Sequence, residues 1–154
     1  MSALADMDGP AALAPTLALN LTLSGGARHA WARVEVHRRR GWRVGWVRLR
    51  GWVGEEALAR VECVMESLEA MGCHHALLDW SDVHHLDYRG VPVLLEALRR
   101  FEARAGSYVL CGLSRYLRDL IRVAGCEPCS WPSAAELLAC DEGPWERTTG
   151  ASAS

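Results

Sequence analysis

The sequence predicts an α/β domain: a mixed, mostly parallel sheet of four to five strands with about four helices. Three observations carry this. From Trp31 onward, segments with period-two alternation take turns with segments of 3.6-residue periodicity. Strands alternating with helices over this distance favour a largely parallel sheet with right-handed crossovers. At 154 residues, with 50% hydrophobic and 23% charged residues, the chain is one domain long and apolar enough to bury a core.

The elements follow in order. Residues 1–30 are rich in Ala, Leu, Pro and Gly and read as an N-terminal extension, either poorly ordered or an added strand. The strand option rests on Leu17, Leu19, Leu21 and Leu23, which alternate with Ala18, Asn20 and Thr22 at the period of a half-buried strand. Val34 and Val36 mark a strand, Arg38 to Gly41 a turn, and Trp42 to Arg50 a second strand, so the domain opens with a hairpin. Glu55 and Glu56 sit where negative charge favours a helix start, Ala57, Val61, Val64, Leu68 and Met71 line one helical face, and Gly72 ends it.

Ala76 to Trp80 is a short apolar strand, and Asp87-Tyr88-Arg89-Gly90 turns into a helix that carries Val91, Leu94, Leu95, Leu98 and Phe101, with Pro92 in its first turn. Tyr108 to Leu113 is a buried strand, Ser114 caps a helix closed by Gly125, and Ser133 with Glu136 forms a capping box for a last short helix. Residues 31–140 therefore form the domain, and 141–154 a polar tail.

Charge and composition narrow the function. Seventeen basic residues against nineteen acidic give a net charge of −2, with no surplus for general nucleic-acid binding. All the basic residues are Arg, so Schiff-base lysines and the phosphate-loop lysine are excluded. No apolar run reaches the roughly 18 residues of a membrane span, and Asp6 and Asp8 stand where a secretory signal is basic, so a cytoplasmic protein without membrane insertion is expected. The six cysteines, several in apolar segments, are expected to be reduced.

The order of elements and the local sequences resemble the STAS domain family, the sulfate transporter and anti-sigma factor antagonist fold. The resemblance covers about Val34 to Leu138. It rests on the strand Val47-Arg48-Leu49-Arg50-Gly51 before a helix, on Leu77-Leu78-Asp79-Trp80-Ser81-Asp82-Val83 followed by Leu86-Asp87-Tyr88-Arg89-Gly90, and on Val109 to Ser114 with the segments up to Glu136. The resemblance implies a non-catalytic regulatory module without a cofactor, whose partner is a serine kinase doubling as an anti-sigma factor. It also admits an accessory subunit of a lipid- or anion-transport system. In responsive members the residue after the turn's Asp is a phosphorylatable Ser or Thr, but here it is Tyr88. A phenol carries its oxygen several ångströms farther from the backbone, so the usual serine switch is expected to be absent.

The expected docking surface is therefore Asp87, Tyr88, Arg89 and Gly90, with Asp87 also capping the helix and Tyr88 and Arg89 as adhesive side chains. The bland alternative packs Tyr88 along the helix and leaves Arg89 solvated. Trp46, Arg48 and Arg50 share one face of their strand, opposite Val47 and Leu49, and form a possible secondary surface; alternatively the Arg stems simply cover the indoles.

Other constellations are weaker. Cys126-Glu127-Pro128-Cys129 follows a helix C-terminus, the wrong end to lower a thiol pKa. His74-His75 and His84-His85 are expected in loops at opposite ends of one strand, roughly 15 Å apart, which does not make a shared metal site. Asp82 reads as a turn residue. No nucleophile–base pair or glycine-rich phosphate loop emerges, so no metal, cofactor or catalytic residue is expected.

Overall fold

The computed structural model describes residues 15–39, 41–126 and 130–131. Among these described residues six strands form one sheet in sequential order: β1 (Leu17–Ser24), β2 (Ala30–Arg39), β3 (Trp42–Val53), β4 (His75–Leu86), β5 (Ser107–Cys111) and β6 (Ser130–Trp131). β1, β2 and β3 pair antiparallel, and β3 through β6 pair parallel. Three helices supply the crossovers: α1 (Glu55–Ala70), α2 (Val91–Arg104) and α3 (Arg115–Val123). The mixed α/β sheet agrees with expectation. Its extra strands are the leucine-alternating segment, which becomes β1, and the two-residue β6. The predicted Ser133 capping box, its helix, residues 1–14 and the tail lie outside the described residues.

Side-chain alternation divides the sheet into two buried faces. Val34, Val47, Leu49, Leu78, Trp80 and Leu110 belong to one core cluster with Leu58, Val61 and Leu68 of α1 and Leu94, Leu98 and Phe101 of α2. Leu117 and Ile121 of α3 join the same cluster. The run Ala76-Leu77-Leu78 is buried throughout, as a central parallel strand requires when both of its faces are covered. The helix ends obey local chemistry: Ser114 Oγ accepts the Leu117 N–H at 3.2 Å, and Gly72 and Gly125 take the positive φ angles (81° and 95°) that end α1 and α3. Arg100 of α2 ties the two long helices by donating to Glu62 at 2.7 Å, a half-exposed pair worth at most about 1 kcal/mol.

β4 runs further than its sequence suggests. It extends twelve residues, because β3 offers a partner all the way to Val53↔Leu86. His75, His84 and His85 therefore lie inside a strand and not in loops, and Asp82 pairs opposite Arg50 instead of making a turn. Two register shifts, at Arg48/Arg50 and Gly51/Trp52, absorb the extra length. Gly51 is indispensable there: its φ is +95°, and a Cβ would stand 2.4 Å from the His29 carbonyl oxygen.

The second face buries polar groups. His75 is 3% exposed, and its Nδ1 lies 2.7 Å from Ser107 Oγ. Glu35 receives hydrogen bonds from Arg33 (2.7 Å) and His37 (2.8 Å). Burial pushes the Glu35 carboxyl up, but those two bonds and the charge of Arg48 outweigh it and hold the group below its ordinary value.

Two outcomes follow. Replacing Gly51 by Ala combines a strained φ with a backbone clash and should cost about 2–3 kcal/mol in urea unfolding. Burial, with a smaller contribution from His74, pushes His75 down to about 4 from 6.5. The folded state keeps the ring neutral while the unfolded chain protonates near pH 6.5, so stability is full above that pH and falls as the pH drops towards 4. The loss should be on the order of 2 kcal/mol in unfolding measured across that window, and His75→Gln should flatten it.

Candidate functional site

The parallel β3–β4 pair delivers the candidate site at its C-terminal end. β4 finishes at Leu86, and the Asp87 N–H donates to the Val53 carbonyl at 2.9 Å, which ties the following corner to the end of β3. Tyr88–Gly90 form a single 3₁₀ turn that runs directly into α2.

Asp87 caps this turn, not α2 itself, whose N-cap is Gly90 and has no side chain to offer. Asp87 Oδ1 accepts the Arg89 N–H at 3.0 Å and Nε–H at 3.1 Å, while Oδ2 accepts from Arg89 Nη2 at 2.9 Å. The guanidinium thus folds back on the carboxylate as a two-pronged clamp. These bonds, the side-chain one first and the backbone one next, pull Asp87 down to about 2. The same partnership pushes Arg89 up. Arg89 is committed to its neighbour, so it is a poorer free cation than its sequence implies.

Tyr88 has the opposite character. It is 69% exposed, an apolar ring standing off a turn whose backbone is pinned on both sides. Gly90 is buried against α1, where a Cβ would stand 2.5 Å from Leu58 Cδ1; it lets the corner approach the helix and presents no surface of its own.

Trp46, Arg48 and Arg50 share one face of β3, but Trp46 is buried, 4% exposed, with the Arg48 guanidinium 3.7 Å above its ring. What remains outside is Arg48 in part and Arg50, whose guanidinium lies 5.9 Å from the ring of exposed Trp31. The expected Arg/Trp surface is thus carried by Arg50 and Trp31, its register partner on β2, because the Arg48 side chain lies over the Trp46 ring.

Sequence reasoning missed the neighbours of the corner. Trp52 and His85 are register partners across β3 and β4, with ring centroids 4.4 Å apart. Arg28 lies 4.8 Å over Trp52, and Tyr116 Oη is 3.3 Å from His85 Nδ1. A cleft of about 240 Å³ opens here, lined by Arg28, Trp52, Glu55, Glu56, His85 and Asp87. These side chains come from four separate segments. Only the long β3–β4 pairing brings them together, and a short predicted strand ending at Trp80 gives no hint of it.

The four expected histidines do not gather. Among the described residues no group of three or more His, Cys, Asp or Glu could hold a metal ion. Cys73 is buried, which pushes its thiol up to about 11 and makes it unreactive. Of Cys126 to Cys129, only Cys126 lies among the described residues. No helix among them is long and apolar enough to cross a membrane.

The STAS domain model matches residues 43–134, which is more than half of the chain. The chain belongs to the STAS domain family. Solved structures agree on the fold of this STAS domain. The phosphorylated form of the Bacillus cell fate determinant SpoIIAA is 20% identical with a TM-score of 0.55, covering 68% of this chain and 94% of that one. An anti-sigma factor antagonist from Mycobacterium paratuberculosis is 16% identical with a TM-score of 0.56, covering 73% and 94%. The murine Slc26a9 anion transporter, inward-facing, is 17% identical with a TM-score of 0.56; the match covers 90% of this chain and 24% of the transporter. No curated protein matches the sequence.

The clamp is directly measurable. Carboxyl NMR titration should find Asp87 ionising near pH 2, and Arg89→Ala should move it back up towards the ordinary carboxylate range by removing two of its three donors.

Proposed function

We propose that this STAS domain is a non-catalytic regulatory module of the anti-sigma factor antagonist type, gripped by a protein partner at the corner of Asp87, Tyr88 and Arg89. One observation carries the reading: Tyr88 is 69% exposed on a turn braced by the Asp87–Arg89 clamp and by the Asp87–Val53 bond. A rigid aromatic ring loses little conformational freedom on binding and buries much area, which is why such residues dominate interfaces. Trp52, His85 and Tyr116 extend the surface beside it.

The partner fitting this reading is a serine kinase that doubles as an anti-sigma factor. Tyr88 stands where responsive members carry Ser or Thr, so serine phosphorylation at this position is absent and release is governed elsewhere. Binding is constitutive, or controlled on the partner's side. The module works in the cytoplasm, with no role for nucleic acid, metal or cofactor; on the secondary face Arg48 packs over Trp46, and Arg50 stands exposed beside Trp31.

A second reading makes the chain an accessory subunit of a lipid- or anion-transport system. It draws on the similarity to the murine anion transporter, which takes in 90% of this chain.

Affinity capture with the full chain, read by mass spectrometry, separates the two. A kinase-type regulator is expected for the first and a membrane transport protein for the second. Tyr88→Ala should weaken the captured complex at least about tenfold, by loss of an interface anchor. Arg89→Glu should weaken it too, because repulsion from Asp87 dismantles the clamp. Unchanged affinity in both variants would remove the corner from the interface.

A further inference from the structure

The docking corner and the cleft beside it leave one concave surface unused. Alternation along β1 lays Leu17, Leu19, Leu21 and Leu23 on the face of the sheet that carries α1. Their cover fades along the row: Leu23 is buried, whereas Leu19 is 37% and Leu17 41% exposed. The row and α1 do not close on each other. Between them runs an apolar groove of about 480 Å³, walled by Leu19, Leu21 and Leu23 on one side and by Val64, Leu68 and Met71 on the other. That volume lies within the ordinary range of small-molecule sites.

The dimensions select the occupant. Arg60 and Met71, the first and last residues to line the groove from the α1 side, stand about 16 Å apart along the helix axis, the extended length of a chain of roughly 12–14 carbons. Spread over that length, the volume leaves a mean cross-section of about 30 Å², enough for one alkyl chain and too narrow for a helix about 10 Å across. An extended peptide fits no better. Besides Arg60 and the Cys63 thiol, the described lining residues bring polar side-chain atoms only at Thr22 and Ser67, too few for a backbone with a donor and an acceptor in every residue.

Charge sets the direction of the chain. Among the described residues that line the groove Arg60 alone is charged; it is exposed, and its ion pair with Glu56 is stretched to 4.0 Å, so it stays available to an anion. At the Met71 end the apolar path gives way to a cleft that includes Arg38 and Arg43, and Arg43 already donates to the Met71 carbonyl at 2.7 Å.

We propose that this groove binds a single unbranched fatty carboxylate of about 12–14 carbons, its methylenes between the β1 leucines and α1 and its head against the Arg60 guanidinium. The site is independent of the docking corner, since the groove and the cleft beside Asp87 share no lining residue.

Calorimetric titration of the delipidated full chain with monomeric octanoate, decanoate and dodecanoate should show one site. Affinity should rise about four- to fifteenfold for each two carbons added, the range for methylenes half to fully buried. Ser67→Trp, at an exposed position of α1, fills the groove and should weaken dodecanoate at least about tenfold, with far-ultraviolet circular dichroism unchanged. Arg60→Glu should weaken dodecanoate about fivefold, spare dodecanol, and be rescued by Arg60→Lys. Cys63 is an exposed thiol of the lining, so dodecanoate should slow its alkylation, followed by mass spectrometry, in proportion to occupancy. Equal affinity for hexanoate and dodecanoate, an unaffected Ser67→Trp or Arg60→Glu variant, or a Cys63 left unshielded at saturation overturns the proposal. Adsorption to phosphatidylglycerol vesicles without binding of monomeric dodecanoate does the same. So does a Cys63 already unreactive in the free protein, which would mean that another segment or copy of the chain fills the groove.

Discussion

The parallel pairing of β3 with β4 is the constraint on which the rest of this molecule depends. It runs from Val44↔His75 to Val53↔Leu86, and two irregularities keep it in step where the strands would otherwise lose register. Because it persists to the ends of both strands, Asp87 emerges beside Val53 and bonds to it. Were the pairing to stop at Trp80, the corner would hang from an unbraced loop. Gly51 makes the length possible, since only a residue without a Cβ fits both its φ and its distance from His29.

From that pairing follows a division of labour between the faces of the sheet. The α1–α2 face carries the aliphatic core and most of the hydrophobic stabilisation. The other face holds an ordered polar ladder, Arg33–Glu35–His37, with Arg48 over Trp46 and His75 bonded to Ser107. Buried polar groups are tolerable only when bonded, so this ladder contributes positional definition more than net stability. The corner repeats the pattern at the surface: a clamp of modest energy, Asp87 with Arg89, holds one apolar side chain in a defined place.

At the C-terminal end of β3 and β4 this domain gathers aromatic rings and a neutralised ion pair, the chemistry on which the proposed docking corner rests.

Much of this was legible in the linear chain. The helical stripe from Ala57 to Leu68, the Ser114 cap, the glycine stops and the Asp87 turn are governed by neighbours within a few residues, where local periodicity and capping decide the outcome. The family resemblance was legible for the same reason: its marks are strand ends and turns. Tertiary structure alone decided the rest. The length of β4, the burial of His75 and the meeting of Trp52 with His85 all depend on what lies across the sheet. A sequence specifies which face a side chain takes; only the packed neighbour determines whether that face meets water, a ring or a charge.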